Sequence, residues 1–330
     1  MIKCHFPSLQ PFSTMRRHVI ETLSHGITCI DTGYHRPNLA ACYLIVDDGE
    51  AAVIETGTAP TLPTILAALE HCAVRPEQVR WIMPTHVHLD HAGGAGALLA
   101  KCPNAKLVAH PQGARHLIDP SRLVAGATAV YGEEGMRAMY GEIVAAPRER
   151  VCEAVDGSLW QLGNRKLLVR NTPGHANHHY CIWDEPSRGW FTGDTYGNSF
   201  PELRRKGVPF LIPSTTPVQF DFEALLASMD LLEAAAPYYY YLTHFGRIQA
   251  SPMHTLSLKR QLHEYVRLAA ATEPGTDRPQ RLAEAIVVYT LELLREAGCP
   301  LSNTEARNLL AMELGLNAQG VLIWLERPRP

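Results

Sequence analysis

Short apolar runs that each end in a polar loop, separated by stretches of helical periodicity, predict an α/β fold for this chain. The runs at 79–83, 167–169, 189–192 and 238–242 are rich in β-branched and aromatic residues, as buried strands are. Each leads into histidine or aspartate: His86 to His91, His175, Asp194 and His244. Open α/β sheets place active sites on loops at the carboxyl ends of their strands. Between the runs lie segments such as 60–72, where Leu62, Ile65, Leu66 and Leu69 recur at helical spacing. A chain of 330 residues with 46% apolar content can bury a core of that size.

Taken in order, residues 1–14 have little periodicity and two prolines, and Met15 is an alternative start. The first strand is expected at 26–30. Residues 42–46 and 51–54 read as a hairpin around Asp47, Asp48 and Gly49. After the helix at 60–72 and the strand at 79–83, a helix-like stretch at 95–100 precedes a short strand at 106–109. Residues 111–150 are helical and longer than an ordinary connection. Tyr131, Met136, Met139 and Tyr140 are candidates there for lining a pocket, with packing of a small local core as the alternative. A strand pair at 159–170 turns at Gly163 and Asn164, and a helix at 222–235 runs towards Pro237. Residues 251–330 read as helices. Leu256, Leu258, Leu262 and Val266 pattern the first, and Leu282, Ile286, Leu291 and Leu294 the second. Ser302 with Glu305 makes a capping box before Leu309.

Composition narrows the function classes. The formal charge of −3 gives no overall field to recruit nucleic acid or an anionic membrane. No segment has the ~18 uninterrupted apolar residues of a membrane span. From 281 onward five arginines face six glutamates with no lysine, so the helical tail offers no basic recognition face. The eight cysteines are scattered without C-x-x-C spacing, and no apolar leader precedes them, which points to reduced thiols and a cytoplasmic protein.

The most specific feature is His86-x-His88-x-Asp90-His91, followed by Gly93 and Gly94. Imidazole nitrogens and a carboxylate oxygen are the ligands that borderline divalent metals such as zinc prefer. Two metals held this close need further histidines and an anion between them. His175 in Asn171-Thr172-Pro173-Gly174-His175, Asp194 in Gly193-Asp194-Thr195, and His244 in Thr243-His244-Phe245-Gly246 are the candidates. Taken singly, each is an ordinary strand-end turn.

With these motifs, over roughly residues 20 to 250, the chain resembles the metallo-β-lactamase superfamily of metal-dependent hydrolases. The resemblance implies an αββα sandwich with a dinuclear site in the cleft between two sheets, a helical insertion at 111–150 and a C-terminal helical extension. It implies His86, His88 and His175 on a first metal, Asp90, His91 and His244 on a second, and Asp194 bridging both. The metals would be two divalent ions, zinc in the first place, with iron or manganese as alternatives. The bridging aspartate and the absent leader separate the chain from enzymes that destroy β-lactams. His88 separates it from flavodiiron proteins, which carry glutamate there. What remains resembles the glyoxalase II and lactonase branch. The whole chain is similar to a group of microbial proteins of hydrolase fold, a likeness that implies no particular substrate. The expected organisation is a metal-binding domain at 15–250 and a helical cap or dimerisation region at 251–330.

One position departs from the family pattern. Asp-x-Gly is common after the second strand of the family, and here the sequence reads Glu55-Thr56-Gly57. Glu55 is one methylene longer, and it is expected to orient a ligand loop from a displaced backbone. Asp90 and Tyr196 are the candidate catalytic residues: Asp90 would orient a metal-bridging hydroxide, and Tyr196, two residues past Asp194, would reach the oxyanion or else sit in the core. His178 is expected behind the ligands and His179 in the pocket. His35 and Arg36 lie in a loop that could border the cleft, with solvent exposure without function as the first expectation, while Arg247 could pair with an acidic substrate group. His110, His116, His254 and His263 fall outside any metal spacing. No G-x-S-x-G nucleophile competes. The expected activity is hydrolysis of a small thioester, lactone or related ester. The alternatives are a mono-iron sulfur dioxygenase of the same fold and a metal-retaining binding protein.

Overall fold

The computed structural model describes residues 20–328. The alternative start at Met15 lies outside them. The chain forms two compact units: one of residues up to Ala154 with Leu162–Asn164, the other of Val155–Gln161 and everything from Arg165 on.

Among the described residues, the first unit holds a seven-stranded sheet whose spatial order follows the sequence. Its strands are β1 (Ile20–Thr22), β2 (Ile27–Asp31), β3 (Ala41–Asp47), β4 (Glu50–Ile54), β5 (Val79–Met83), β6 (Lys106–Ala109) and β7 (Val151–Glu153). The first four pair antiparallel and the last four parallel. The hairpin between β3 and β4 closes with Asp48 and Gly49 at φ 46° and 78°, the left-handed pair that a two-residue I′ turn requires. Parallel neighbours need crossovers, and helices supply them: α1 (Leu62–His71), α2 (Leu89–Ala92), α3 (Ala95–Lys101), α4 (Pro111–Ile118) and α5 (Ser121–Tyr140). Ile30, Leu44, Val53, Ile82 and Leu107 from the sheet meet Ile65, Leu69, Leu98 and Leu99 from α1 and α3 in one apolar core. That core fixes the carboxyl end of β5, from which the histidine-rich loop departs.

The second unit is built on β8 (Leu159–Leu162), β9 (Arg165–Asn171), β10 (Tyr180–Asp184), β11 (Gly189–Gly193), β12 (Tyr239–Leu242) and β13 (Gly246–Gln249), neighbours in reverse order across the sheet. From β9 to β11 the strands pair antiparallel, as do β12 and β13. Strands β11 and β12 pair parallel, and α6 (Phe222–Ala234) crosses between them. Three helices follow in the same unit: α7 (Pro252–Ala271), α8 (Arg278–Ala297) and α9 (Asn303–Glu326). Ser251 caps α7 by accepting the Met253 N–H, and the Ser302–Glu305 capping box opens α9 as expected. Helix α7 turns Leu258, Leu262, Tyr265 and Ala269 inward, which leaves Leu256 exposed, against the expected pattern. Among the described residues no helix is long and apolar enough to cross a membrane.

A buried ion pair ties the edges of β9 and β10. Arg165 Nη1 lies 3.2 Å from Asp184 Oδ1, and the Asp184 side chain is fully buried. Removing one partner leaves the other charge uncompensated, so Asp184→Ala should cost ~3–5 kcal/mol in urea unfolding. A loss below ~1 kcal/mol would mean that the pair is dispensable.

Candidate metal centre

In the first unit, the turn after β5 presents His86, His88, Asp90 and His91, the last two on α2. His86 Nε2 and His88 Nδ1 converge to 2.8 Å. The rings of His86 and His91 lie 4.0 Å apart between centroids, and His91 Nε2 is 3.7 Å from Asp90 Oδ2. Behind them sits Glu55, almost fully buried. Its carboxylate accepts from the Thr85 N–H at 3.0 Å, the Thr85 hydroxyl at 2.6 Å and His91 Nδ1 at 3.0 Å. Glu55 makes these contacts from a left-handed backbone, φ 63°.

These bonds decide which ring nitrogens carry protons. An ionised carboxylate only accepts, so His91 must donate from Nδ1, and its lone pair lies on Nε2. The Thr85 hydroxyl spends its proton on Glu55 and is left to accept from His86 Nδ1, 3.1 Å away. His86 therefore also presents a lone pair on Nε2. Both are the tautomers that a metal ligand needs.

The insertion packs behind the same turn. Leu89, Met136 and Tyr140 form a small buried cluster with Tyr34, Tyr131 and Met139 against it. These side chains serve a local core and brace α2, the alternative to pocket lining. The Tyr34 hydroxyl donates to that of Tyr140 at 3.1 Å. Burial, with the Asp90 charge added, holds both phenols well above their usual range, so they stay protonated. His35 is half-buried and not in open solvent as expected. Burial pulls its pKa down while Asp90 pulls it up.

In the second unit, His175 follows β9, Asp194 follows β11 and His244 follows β12. Asp194 Oδ2 lies 3.4 Å from His175 Nε2, and Asp194 Oδ1 lies 3.5 Å from His244 Nε2. Both separations are long for a charge-assisted hydrogen bond, typically about 2.7–2.9 Å. They match the edge of a tetrahedron with metal–ligand bonds near 2.0–2.2 Å, roughly 3.3–3.6 Å. Each oxygen of one carboxylate thus faces a different imidazole, and the donor set fits a cation on either side. Every group of three or more His, Cys, Asp and Glu side chains able to hold a metal among the described residues is drawn from the seven expected ligands.

The supports around Asp194 differ from expectation. His179 does not enter a pocket. It is fully buried, and its Nε2 accepts the Asp194 N–H at 3.2 Å, while its Nδ1 lies 2.9 Å from Thr172 Oγ1 and 3.2 Å from Thr195 Oγ1. Tyr196 is corrected as well. It is fully buried, stacked on Tyr240 at 3.8 Å, with its hydroxyl 2.7 Å from Thr255 Oγ1 of α7, which leaves it in the core. The His244 loop is tied down by the Ser199 N–H on the His244 carbonyl and by Arg204, which donates to the Phe245 carbonyl at 3.1 Å. The Arg247 guanidinium lies 4.7 Å over the Tyr239 ring. His110 caps α4, and His263 packs edge-on against Phe222. Sequence reasoning missed Ser214, whose hydroxyl lies 3.2 Å from His175 Nδ1 and 3.4 Å from Asp194 Oδ2. A lone serine outside any motif carries no signal.

A model of the metallo-beta-lactamase superfamily matches residues 35–244. Over 157 residues the chain is 31% identical to the hydroxyacylglutathione hydrolase of Francisella tularensis subsp. novicida (strain U112), covering 48% of this chain and 47% of that protein. Over 205 residues it is 27% identical to an acyl-coenzyme A thioesterase of Bos taurus, covering 55% of this chain and 67% of that one. The chain spans about half the length of the curated hydroxyacylglutathione hydrolases that it matches. A metallo-beta-lactamase superfamily protein from Sulfolobus tokodaii is similar at TM-score 0.60 and 20% identity, over 91% of this chain and 99% of that one. A metallo-beta-lactamase family protein from Thermus thermophilus is similar at TM-score 0.64 and 19% identity, over 91% and 93%. These two likenesses carry the fold alone.

Two substitutions separate support from chemistry. Glu55→Ala deprives His91 and Thr85 of their acceptor and should weaken metal binding by ~10–100-fold in a chelator competition. An unchanged affinity would remove Glu55 from the site. Tyr196→Phe should lower stability by ~0.5–1.5 kcal/mol, the net worth of one hydrogen bond, and leave turnover of the metal-loaded protein alone. A loss in kcat at unchanged stability would restore it to catalysis.

Proposed function

The chain belongs to the metallo-beta-lactamase superfamily, and on that premise we propose that it is a dinuclear metal-dependent hydrolase of a small thioester, lactone or related ester. The observation that carries this reading is the pair of contacts from the two oxygens of Asp194 to His175 and His244, which suits a carboxylate shared by two cations. His86, His88 and His175 would hold one metal, Asp90, His91 and His244 the other, with zinc in the first place. Metals bound there would lower the pKa of a water from about 15.7 towards ~7 and polarise a substrate carbonyl.

The chain's own groups do the rest. Asp90 would accept a hydrogen bond from the attacking water and orient it towards the carbonyl. Glu55 keeps the Nε2 lone pair of His91 turned outward. A thiolate leaves without a proton donor because a thiol has a pKa of about 8.5, whereas an alkoxide needs one. With Tyr196 committed to Thr255, the proposal favours thioesters over simple esters. The names of two relatives, a hydroxyacylglutathione hydrolase and an acyl-coenzyme A thioesterase, support the same preference.

The test is a panel of acyl thioesters and lactones offered to zinc-loaded protein. Thioester hydrolysis is expected, and Asp90→Ala should lower kcat/KM by more than about a hundredfold with the circular dichroism spectrum unchanged, because the nucleophile loses its orientation. A fully loaded protein that leaves the whole panel intact would favour a binding role instead. Turnover unaffected by Asp90→Ala would remove Asp90 from the mechanism.

A further inference from the structure

Ser214 stands on an irregular strap between the bridge at Ile212 and the start of α6, where its near neighbour in sequence, Thr216, places a hydroxyl 3.4 Å from its own. The strap is gripped from the C-terminal helices. Asn317 of α9, nearly fully buried, clamps the backbone on both sides of Ser214. Its Oδ1 accepts the Thr215 N–H at 2.7 Å, and its Nδ2 donates to the Pro213 carbonyl at 2.8 Å. The Thr215 hydroxyl donates to the Asn317 carbonyl at 3.0 Å. One turn further along α9, Gly320 lets the helix approach so closely that a Cβ there would lie 1.5 Å from the Thr215 carbonyl oxygen. Gln261 of α7 donates to the Leu211 carbonyl at 2.8 Å, and Ile212 exchanges two backbone hydrogen bonds with Asn198.

What this grip delivers is one hydroxyl between two metal ligands. Its Oγ lies 3.4 Å from Asp194 Oδ2, 3.4 Å from Thr216 Oγ1 and 3.2 Å from His175 Nδ1. With its proton on either of those oxygens, the hydroxyl presents a lone pair to His175 Nδ1, which then carries its proton. His175 is left with its lone pair on Nε2, the atom that faces Asp194. We propose that Ser214 is a positioning residue for the ligands His175 and Asp194, and that α9 sets it through Asn317. The C-terminal helices thereby act on the metal site from behind. This inference rests on the metal-binding reading given above.

The test measures zinc affinity of full-length protein by competition with a chromophoric chelator, together with the cobalt(II) spectrum and the thermal unfolding of the metal-free protein. Ser214→Ala should weaken zinc binding by ~10–100-fold and shift the cobalt bands, with the metal-free unfolding midpoint unchanged. Asn317→Asp, which loses the donor to Pro213, should weaken zinc binding through the same hydroxyl. The double variant should therefore lose no more than the larger single loss. Wild-type affinity in Ser214→Ala, or losses that add in the double variant, would overturn the proposal and leave the metal-binding reading standing. A lowered metal-free midpoint with unaltered zinc binding would overturn it too, by making Ser214 a packing residue. Wild-type protein that binds no zinc or cobalt would overturn both.

Discussion

A metal-ligating imidazole works only when its proton sits on the nitrogen away from the metal, and this chain meets that constraint with buried oxygens. Glu55 holds His91 directly and His86 through Thr85, while Ser214 holds His175. A carboxylate as buried as that of Glu55 is costly unless its lone pairs are filled. Its three hydrogen bonds occupy most of them, and the same three bonds set the direction of two candidate ligands. The polar interior is thus a device for fixing tautomers. It explains why Glu55 tolerates a left-handed backbone, a conformation that costs a non-glycine residue something of order 1 kcal/mol.

Each ligand stands just past the carboxyl end of a strand or the turn that follows it. The cores behind the two sheets hold those strand ends, and the loops need little regular structure of their own. The supporting groups come from farther away in sequence. Thr85 meets Glu55 across thirty positions, and Asn317 reaches Thr215 across 102. Helices that the sequence assigns to a cap or a dimer contact therefore reach, through Thr215, the strap beside the candidate ligands His175 and Asp194.

Much of this was legible beforehand. The hairpin at Asp48 and Gly49, the helix at α1 and the capping box of α9 follow from local chemistry: turn residues, periodicity, a serine three before a glutamate. The cluster from His86 to His91 stands out by its spacing, while His175, Asp194 and His244 join it only through the resemblance to the family. What escaped is what local chemistry does not encode. Strand β10 carries no gap or turn signal separating it from the histidines before it, and β1, β7 and β13 are three or four residues long. The burial of His179 beneath Asp194, and the loss of Tyr196 to the core, turn on which way a side chain points at a strand end. Alternation decides that, and a one-residue shift reverses it. Ser214 and Asn317 belong to no motif and become visible only once α9 is seen against the strap.

Whether the seven donors act as a two-metal set is measured most directly by elemental analysis of protein purified without chelator or added metal. About two equivalents of divalent metal per chain are expected, chiefly zinc, falling to about one or fewer in Asp194→Ala, where the shared carboxylate is gone. About one equivalent of iron per chain, or metal content indifferent to Asp194, would contradict a two-metal set.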